Sequence, residues 1–124
     1  MRSTGSEQAP LFHTIARGIE DRLLAGSLRE GDRLESVREF AIELEVNVNT
    51  CLRAYQLLES RGYVEMRRGL GYFVAAGGKQ AVLAQRRREF AEREVPRLKQ
   101  IMELLDIDYN ELERLLEEAG RRGR

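Results

Sequence analysis

The residues from Leu34 to Val74, LESVREFAIELEVNVNTCLRAYQLLESRGYVEMRRGLGYFV, carry two helical patterns joined by a tight turn and followed by a hairpin pattern. Ser36 precedes Val37, Phe40, Ala41 and Leu44, an apolar stripe at helical spacing. Glu39, three residues after the serine, completes a capping box, so a helix starts there. Val46 leads into Asn47, a strong N-cap, after which Cys51, Ala54, Tyr55 and Leu58 recur at i, i+3, i+4 and i+7. That second helix buries those four and turns Asn49, Arg53 and Gln56 outward. Such side chains can reach base edges or phosphates from a helix lying in a major groove. Gly62 ends the helix, Tyr63, Val64 and Met66 form a short strand, and Tyr72, Phe73 and Val74 return beyond Arg67-Arg68-Gly69. Two arginines at a turn suit phosphate contact or insertion beside a minor groove, because Gly69 and Gly71 let the backbone approach closely. The order helix, turn, helix, hairpin predicts a winged helix-turn-helix, mainly α with a small β-hairpin.

Upstream, Phe12, Ile15, Ile19 and Leu23 form one stripe from Pro10 to about Gly26, which predicts a helix packed across the pair. Residues 1–9 are small, polar and aperiodic, and read as a flexible N-terminal tail; residues 10–75 are expected to make a winged helix-turn-helix DNA-binding domain. Downstream, Ala76-Gly77-Gly78 breaks the periodicity and reads as a hinge at 76–78. In the helical segment 79–119, Ala91, Val95, Leu98, Met102, Leu105, Tyr109, Leu112 and Leu116 step by alternating four and three residues, as in an apolar seam against another helix. Pro96 requires either a kink or a fresh start, and Asp106-Ile107-Asp108 breaks the rod. Asp108 with Glu111 caps a last helix from about Tyr109 to Ala119, leaving 120–124 as a disordered end. The two-helix tail is expected to dimerise the protein through Ala91, Val95, Leu98, Met102, Leu105, Leu112 and Leu116, rather than fold back on its own winged domain. It is too short to enclose a ligand pocket by itself.

The 21 basic residues balance the 21 acidic ones, so net charge gives no argument for nucleic acid. Locally, four arginines face two glutamates between Val46 and Val74, while the segment from Gln8 to Glu45 is acidic. Any field that attracts DNA must arise from the second helix and the hairpin. The single cysteine, Cys51, excludes an internal disulfide and a multi-cysteine zinc site; on an apolar face it reads as a buried small hydrophobe, not a redox sensor. His13 is the only histidine and lacks the partners a metal would need. The apolar runs are too short to span a bilayer and the N-terminus has no signal-peptide core, so a cytoplasmic location is expected. No nucleophile with a base and no phosphate-binding glycine motif occurs; Gly69-Leu70-Gly71 lies in a hairpin, without strand-loop-helix context. An enzyme or a cofactor is not expected.

Several blocks occur in one order: Pro10-Leu11-Phe12, Gly31-Asp32-Arg33-Leu34, Ser36-Val37-Arg38, Asn47-Val48-Asn49-Thr50, Arg53-Ala54-Tyr55, Leu58-Glu59, Gly62, and Arg68-Gly69-Leu70-Gly71-Tyr72-Phe73-Val74. In this the chain resembles the DNA-binding domain of GntR-family transcription regulators over about its first three fifths. The Asn-x-Asn-Thr entry and the short tail resemble the YtrA-like branch of compact dimeric regulators. The resemblance implies that Arg38 contacts the phosphate backbone, that Asn49, Thr50 and Arg53 face DNA, and that Gly71 approaches the minor groove. It departs from the pattern at Glu35 and Val48, where the family has proline, and at Leu52, where many members have a second arginine.

The expected DNA-contacting set is Arg38, Asn47, Asn49, Thr50, Arg53, Gln56, Arg67, Arg68, Gly69 and Gly71. A surface ion pair with Glu35 or Glu39 is the bland alternative for Arg38. The expected function is a sequence-specific repressor that binds a palindromic operator in double-stranded DNA as a homodimer. The alternative is a winged-helix protein-interaction module that does not bind DNA, which the neutral charge and Glu35 allow.

Overall fold

The computed structural model describes residues 10–123. The tail expected at 1–9 and residue 124 lie outside them. Contacts divide the chain into two compact units, one reaching Gln85 and one starting at Arg86.

In the first unit, α1 (Leu11–Ala25), α2 (Val37–Leu44) and α3 (Val48–Ser60) precede strands β1 (Val64–Arg67) and β2 (Gly71–Val74). Helix α1 buries Ile15, Ile19 and Leu23 of the predicted stripe and leaves its fourth member, Phe12, half-buried, and both α1 and α2 pack on α3. Eight residues are too few to hold α2 as an isolated helix. Its start is fixed by the predicted capping box: Ser36 Oγ accepts from the Glu39 amide at 3.0 Å and Glu39 Oε1 accepts from the Ser36 amide at 3.2 Å. Its end turns sharply at Glu45, a non-glycine residue in the left-handed region (φ 58), after which the Val46 amide donates to the Ala41 carbonyl. Asn47 caps α3 by accepting from the Asn49 amide at 2.7 Å. Cys51, Ala54, Tyr55 and Leu58 are fully buried. Burying a large apolar side chain such as Leu58 contributes about 1.5–3 kcal/mol, and α3 is the helix against which both α1 and α2 place theirs.

The strands pair antiparallel from Val64 opposite Val74 to Arg67 opposite Gly71. Residues 31–34 run along the far side of β2: the Leu34 amide donates to the Tyr72 carbonyl and the Val74 amide to the Asp32 carbonyl, each at 2.8 Å. The linker between α1 and α2 therefore bridges to β2 at Arg33 opposite Phe73 and ties the hairpin to the helices.

The expected hinge at 76–78 is a packed turn. The Gly77 amide donates to Glu30 Oε1 at 2.9 Å, and Gly78 opens the next helix, α4 (Gly78–Glu89). A Cβ at Gly78 would lie 2.6 Å from the Tyr63 carbonyl oxygen, so glycine is there for room, not for flexibility. Val82 of α4 is fully buried in the core of the first unit, so the boundary falls after Gln85 and not at residue 78.

Beyond α4 the chain makes a π-helical turn, Phe90–Glu94, and continues into α5 (Val95–Leu105). Pro96 cannot donate a backbone hydrogen bond and its ring crowds the preceding turn; the wider π turn absorbs the misfit, with the Val95 amide donating to the Phe90 carbonyl. Helix α5 stops at Asp106, again left-handed (φ 57), and α6 (Tyr109–Arg122) starts from Asp108, whose Oδ1 accepts from the Glu111 amide at 2.8 Å. Residues 120–122, expected to be disordered, are the last turn of α6. Glu118 faces Arg114 and Arg122 one turn away on either side, pairs that support a helix end despite Gly120.

Candidate nucleic-acid interface

Helix α3 presents Asn49, Arg53 and Gln56 to solvent on the side away from Cys51, Ala54, Tyr55 and Leu58. Among the described residues these three side chains make no hydrogen bond or ion pair, so their donors and acceptors are available to a ligand. Arg53 is nevertheless placed: its guanidinium carbon lies 4.1 Å from the centroid of the Phe12 ring on α1. Thr50 is half-buried at the first turn, and Leu52 is half-buried on the same helix. The Asn47 side-chain oxygen is taken up by capping the helix.

Arg38, in the first turn of α2, is exposed and, among the described residues, has neither Glu35 nor Glu39 as a partner. Glu39 is engaged in the capping box. Glu35 is held by Arg22 of α1 at 3.1 Å, while its carbonyl accepts from Tyr55 Oη at 2.7 Å. The charge that stands where a proline is common is therefore balanced within the protein. The residue still performs a turn's task, through its backbone.

At the hairpin, the two arginines divide. Arg67 ends β1; its Nε lies 3.1 Å from Glu65 and its guanidinium 4.2 Å from the Phe73 ring centroid, so it is laid back along the hairpin and not at its tip. Arg68 opens the three-residue turn, is exposed, and has no partner among the described residues. Gly69 and Gly71 both lie at positive φ (76 and 111). Behind the tip, Arg33 Nε donates to the Leu70 carbonyl at 2.9 Å, and a Cβ at Gly71 would come within 3.3 Å of that Nε. The turn is thus braced from the α1–α2 linker.

The remaining chemistry is structural. Burial first, and then the Glu35 charge, raise the pKa of Cys51, keeping a fully buried thiol protonated. Burial is also the main reason that Tyr55 is raised and, less so, Tyr72, which faces Tyr55 edge-on at 5.1 Å. His13 lies against the Phe12 ring, centroids 4.5 Å apart. No group of His, Cys, Asp or Glu suited to a metal occurs among the described residues, and none of their helices is long and apolar enough to cross a membrane.

Sequence reasoning missed three residues that organise this face: Phe12 under Arg53, Arg33 under the hairpin turn and Arg22 on Glu35. Phe12 was legible as a member of the α1 stripe and of the Pro10-Leu11-Phe12 block, not as a partner of Arg53. Nothing in the spacing links Arg33 to a residue 37 positions away.

In the second unit, Val95, Leu98, Met102, Ile107, Tyr109 and Leu112 line an apolar groove of about 360 Å³ between α5 and α6. Of the seven residues expected to form the seam, only Met102 is buried; Leu105 and Leu116 are 64% and 63% exposed.

Residues 11–74 match the family described as bacterial regulatory proteins, gntR family. The chain is 48% identical over 66 residues to the uncharacterized HTH-type transcriptional regulator YhcF of Bacillus subtilis, covering 53% of this chain and 54% of that protein. It is 33% identical over 110 residues to the HTH-type transcriptional repressor YtrA of the same organism, covering 87% of this chain and 80% of YtrA. It thus spans only about half the length of YhcF. Among solved structures it resembles a GntR family transcriptional regulator from Listeria monocytogenes, with a TM-score of 0.73, 27% identity, and coverage of 90% of this chain and 96% of that one. By name these relatives are transcriptional regulators, not enzymes.

Proposed function

The chain belongs to the GntR family of bacterial regulatory proteins, and on that premise we propose that it is a transcriptional repressor that binds a palindromic operator as a homodimer. The observation that carries the reading is the outward face of α3. Asn49, Arg53 and Gln56 are exposed, have no hydrogen-bonding or ionic partner among the described residues, and stand on a helix whose other face is locked into the core. Amide and guanidinium groups at that spacing are the side chains that read adenine and guanine edges bidentately. Arg38 and Arg68 supply phosphate contacts at either end, with Thr50, Gly69 and Gly71 beside them, and the helix N-terminus capped by Asn47 favours an anion. Repression is the sign carried by YtrA's name.

Dimerisation rests on the second unit. Tyr109, which lines the apolar groove, is 81% exposed, Leu105 and Leu116 of the same unit are 64% and 63% exposed, and a second copy is the partner that supplies matching surface. A two-fold interface presents two α3 helices to half-sites related by an inverted repeat, about one helical turn or a multiple apart.

Binding selection from a random duplex library, followed by sequencing of the recovered DNA, tests the reading. An enriched inverted repeat is expected. A library that emerges unenriched would favour the alternative, a winged-helix module that binds protein.

A further inference from the structure

We propose that Phe12 is a positioning residue for DNA reading: its ring holds the Arg53 guanidinium on the outward face of α3, so that α1 sets the base preference α3 expresses. The inference rests on the reading of α3 as the DNA-reading helix. It starts from the 4.1 Å separation between the Arg53 guanidinium carbon and the Phe12 ring centroid. Arg53 is exposed, and an exposed arginine ordinarily samples many rotamers. On α3 its neighbours one turn away are Asn49 and Leu57, with Gln56 beside it, so no carboxylate there competes for it. Phe12 is half-buried and packed against the core, which fixes the ring, and His13 covers part of it at 4.5 Å. A guanidinium stacks through its flat face while its N–H donors point outward in the plane. The stack therefore orients the fork without using the donors that a guanine edge would accept. A side chain ordered beforehand loses less freedom on binding, and affinity and selectivity gain accordingly.

The test uses the full chain, the duplex recovered by selection and its single-base variants. Phe12→Leu and Phe12→Met keep apolar volume in the core without an aromatic face, and Phe12→Tyr keeps the face. Thermal unfolding of each variant verifies that it is folded. Loss of the stack is expected to weaken operator binding about three- to tenfold. It is also expected to flatten preference at the same base pair that Arg53→Ala flattens, with Phe12→Tyr close to the parent. In the Arg53→Ala background, Phe12→Leu should add almost nothing. The inference is overturned if Phe12→Leu and Phe12→Met retain the parent's preference, or if Phe12→Leu costs as much without Arg53 as with it; either result leaves the reading of α3 intact. If Arg53→Ala itself flattens no position, the inference and the assignment of Arg53 to DNA reading fall together.

Discussion

Arg53 is the cation at the centre of the outward face of α3, and its donors are free of any protein acceptor among the described residues. If it grips a base bidentately, Arg53→Ala costs about 1–3 kcal/mol of operator affinity and relaxes one position, measurable by titrating single-base operator variants. Tyr55, at the opposite pole of the same helix, decides how firmly that face is held. Its hydroxyl donates to the Glu35 carbonyl, so Tyr55→Phe should cost about 0.5–1.5 kcal/mol of stability by removing a hydrogen bond whose acceptor is only partly buried. The same burial shapes the response to alkali. Cys51 and Tyr55 both have folded pKa values above their ordinary 9.0 and 10.0, so the folded chain holds those protons more tightly than the unfolded chain. Their contribution is complete below pH 9.0 and is lost as pH rises through the folded values. Melting temperature should therefore fall as pH rises above 9.0, and fall less steeply in Cys51→Ala. A flat alkaline profile would show that neither proton is linked to folding.

The hairpin is the element where the structure changes the expectation most. Arg67 and Arg68 are adjacent in sequence and look equivalent, yet one is laid against Phe73 and Glu65 and the other is exposed. Arg68→Ala should lower the slope of log affinity against log salt by roughly 1, as one phosphate contact is lost, while Arg67→Ala leaves the slope nearer the parent's. Equal losses in both variants would show that Arg67 leaves Phe73 to meet DNA. Which strand residue folds back depends on cross-strand neighbours, and adjacency in sequence does not carry that. By contrast, the starts of α2 and α3 and the buried face of α3 were legible, because the Ser36 box, the Asn47 cap and the Cys51-Ala54-Tyr55-Leu58 stripe are local patterns whose physics is local. The bridge from Arg33 to β2 and the burial of Val82 were not legible, since both depend on long-range packing. Ala76-Gly77-Gly78 misled because glycine signals flexibility and close packing alike; the nearby Tyr63 carbonyl selects the second. The last turn of α6 was not legible because Gly120 and the polar residues after it carry no apolar periodicity, whereas the structure supports that turn with the Glu118–Arg122 pair.

For the whole molecule, neutral net charge and an exposed apolar tail point the same way. On the proposed reading, one winged unit should hold DNA weakly and two joined units should bind specifically. Replacing Leu105 and Leu116 together with aspartate should give a monomer in sedimentation with the first unit still folded and operator affinity sharply reduced. These two residues are already exposed, so their loss opens no core. A truncation made for the same purpose must fall after Gln85, because Val82 belongs to the core of the first unit. The central claim, specific DNA binding by this chain, is tested most directly by titrating the selected duplex and a scrambled duplex with the full chain at two salt concentrations. The expected result is preference for the selected duplex and a log–log salt slope of about −0.9 per phosphate contact. Equal affinity for both duplexes, or binding indifferent to salt, would contradict it.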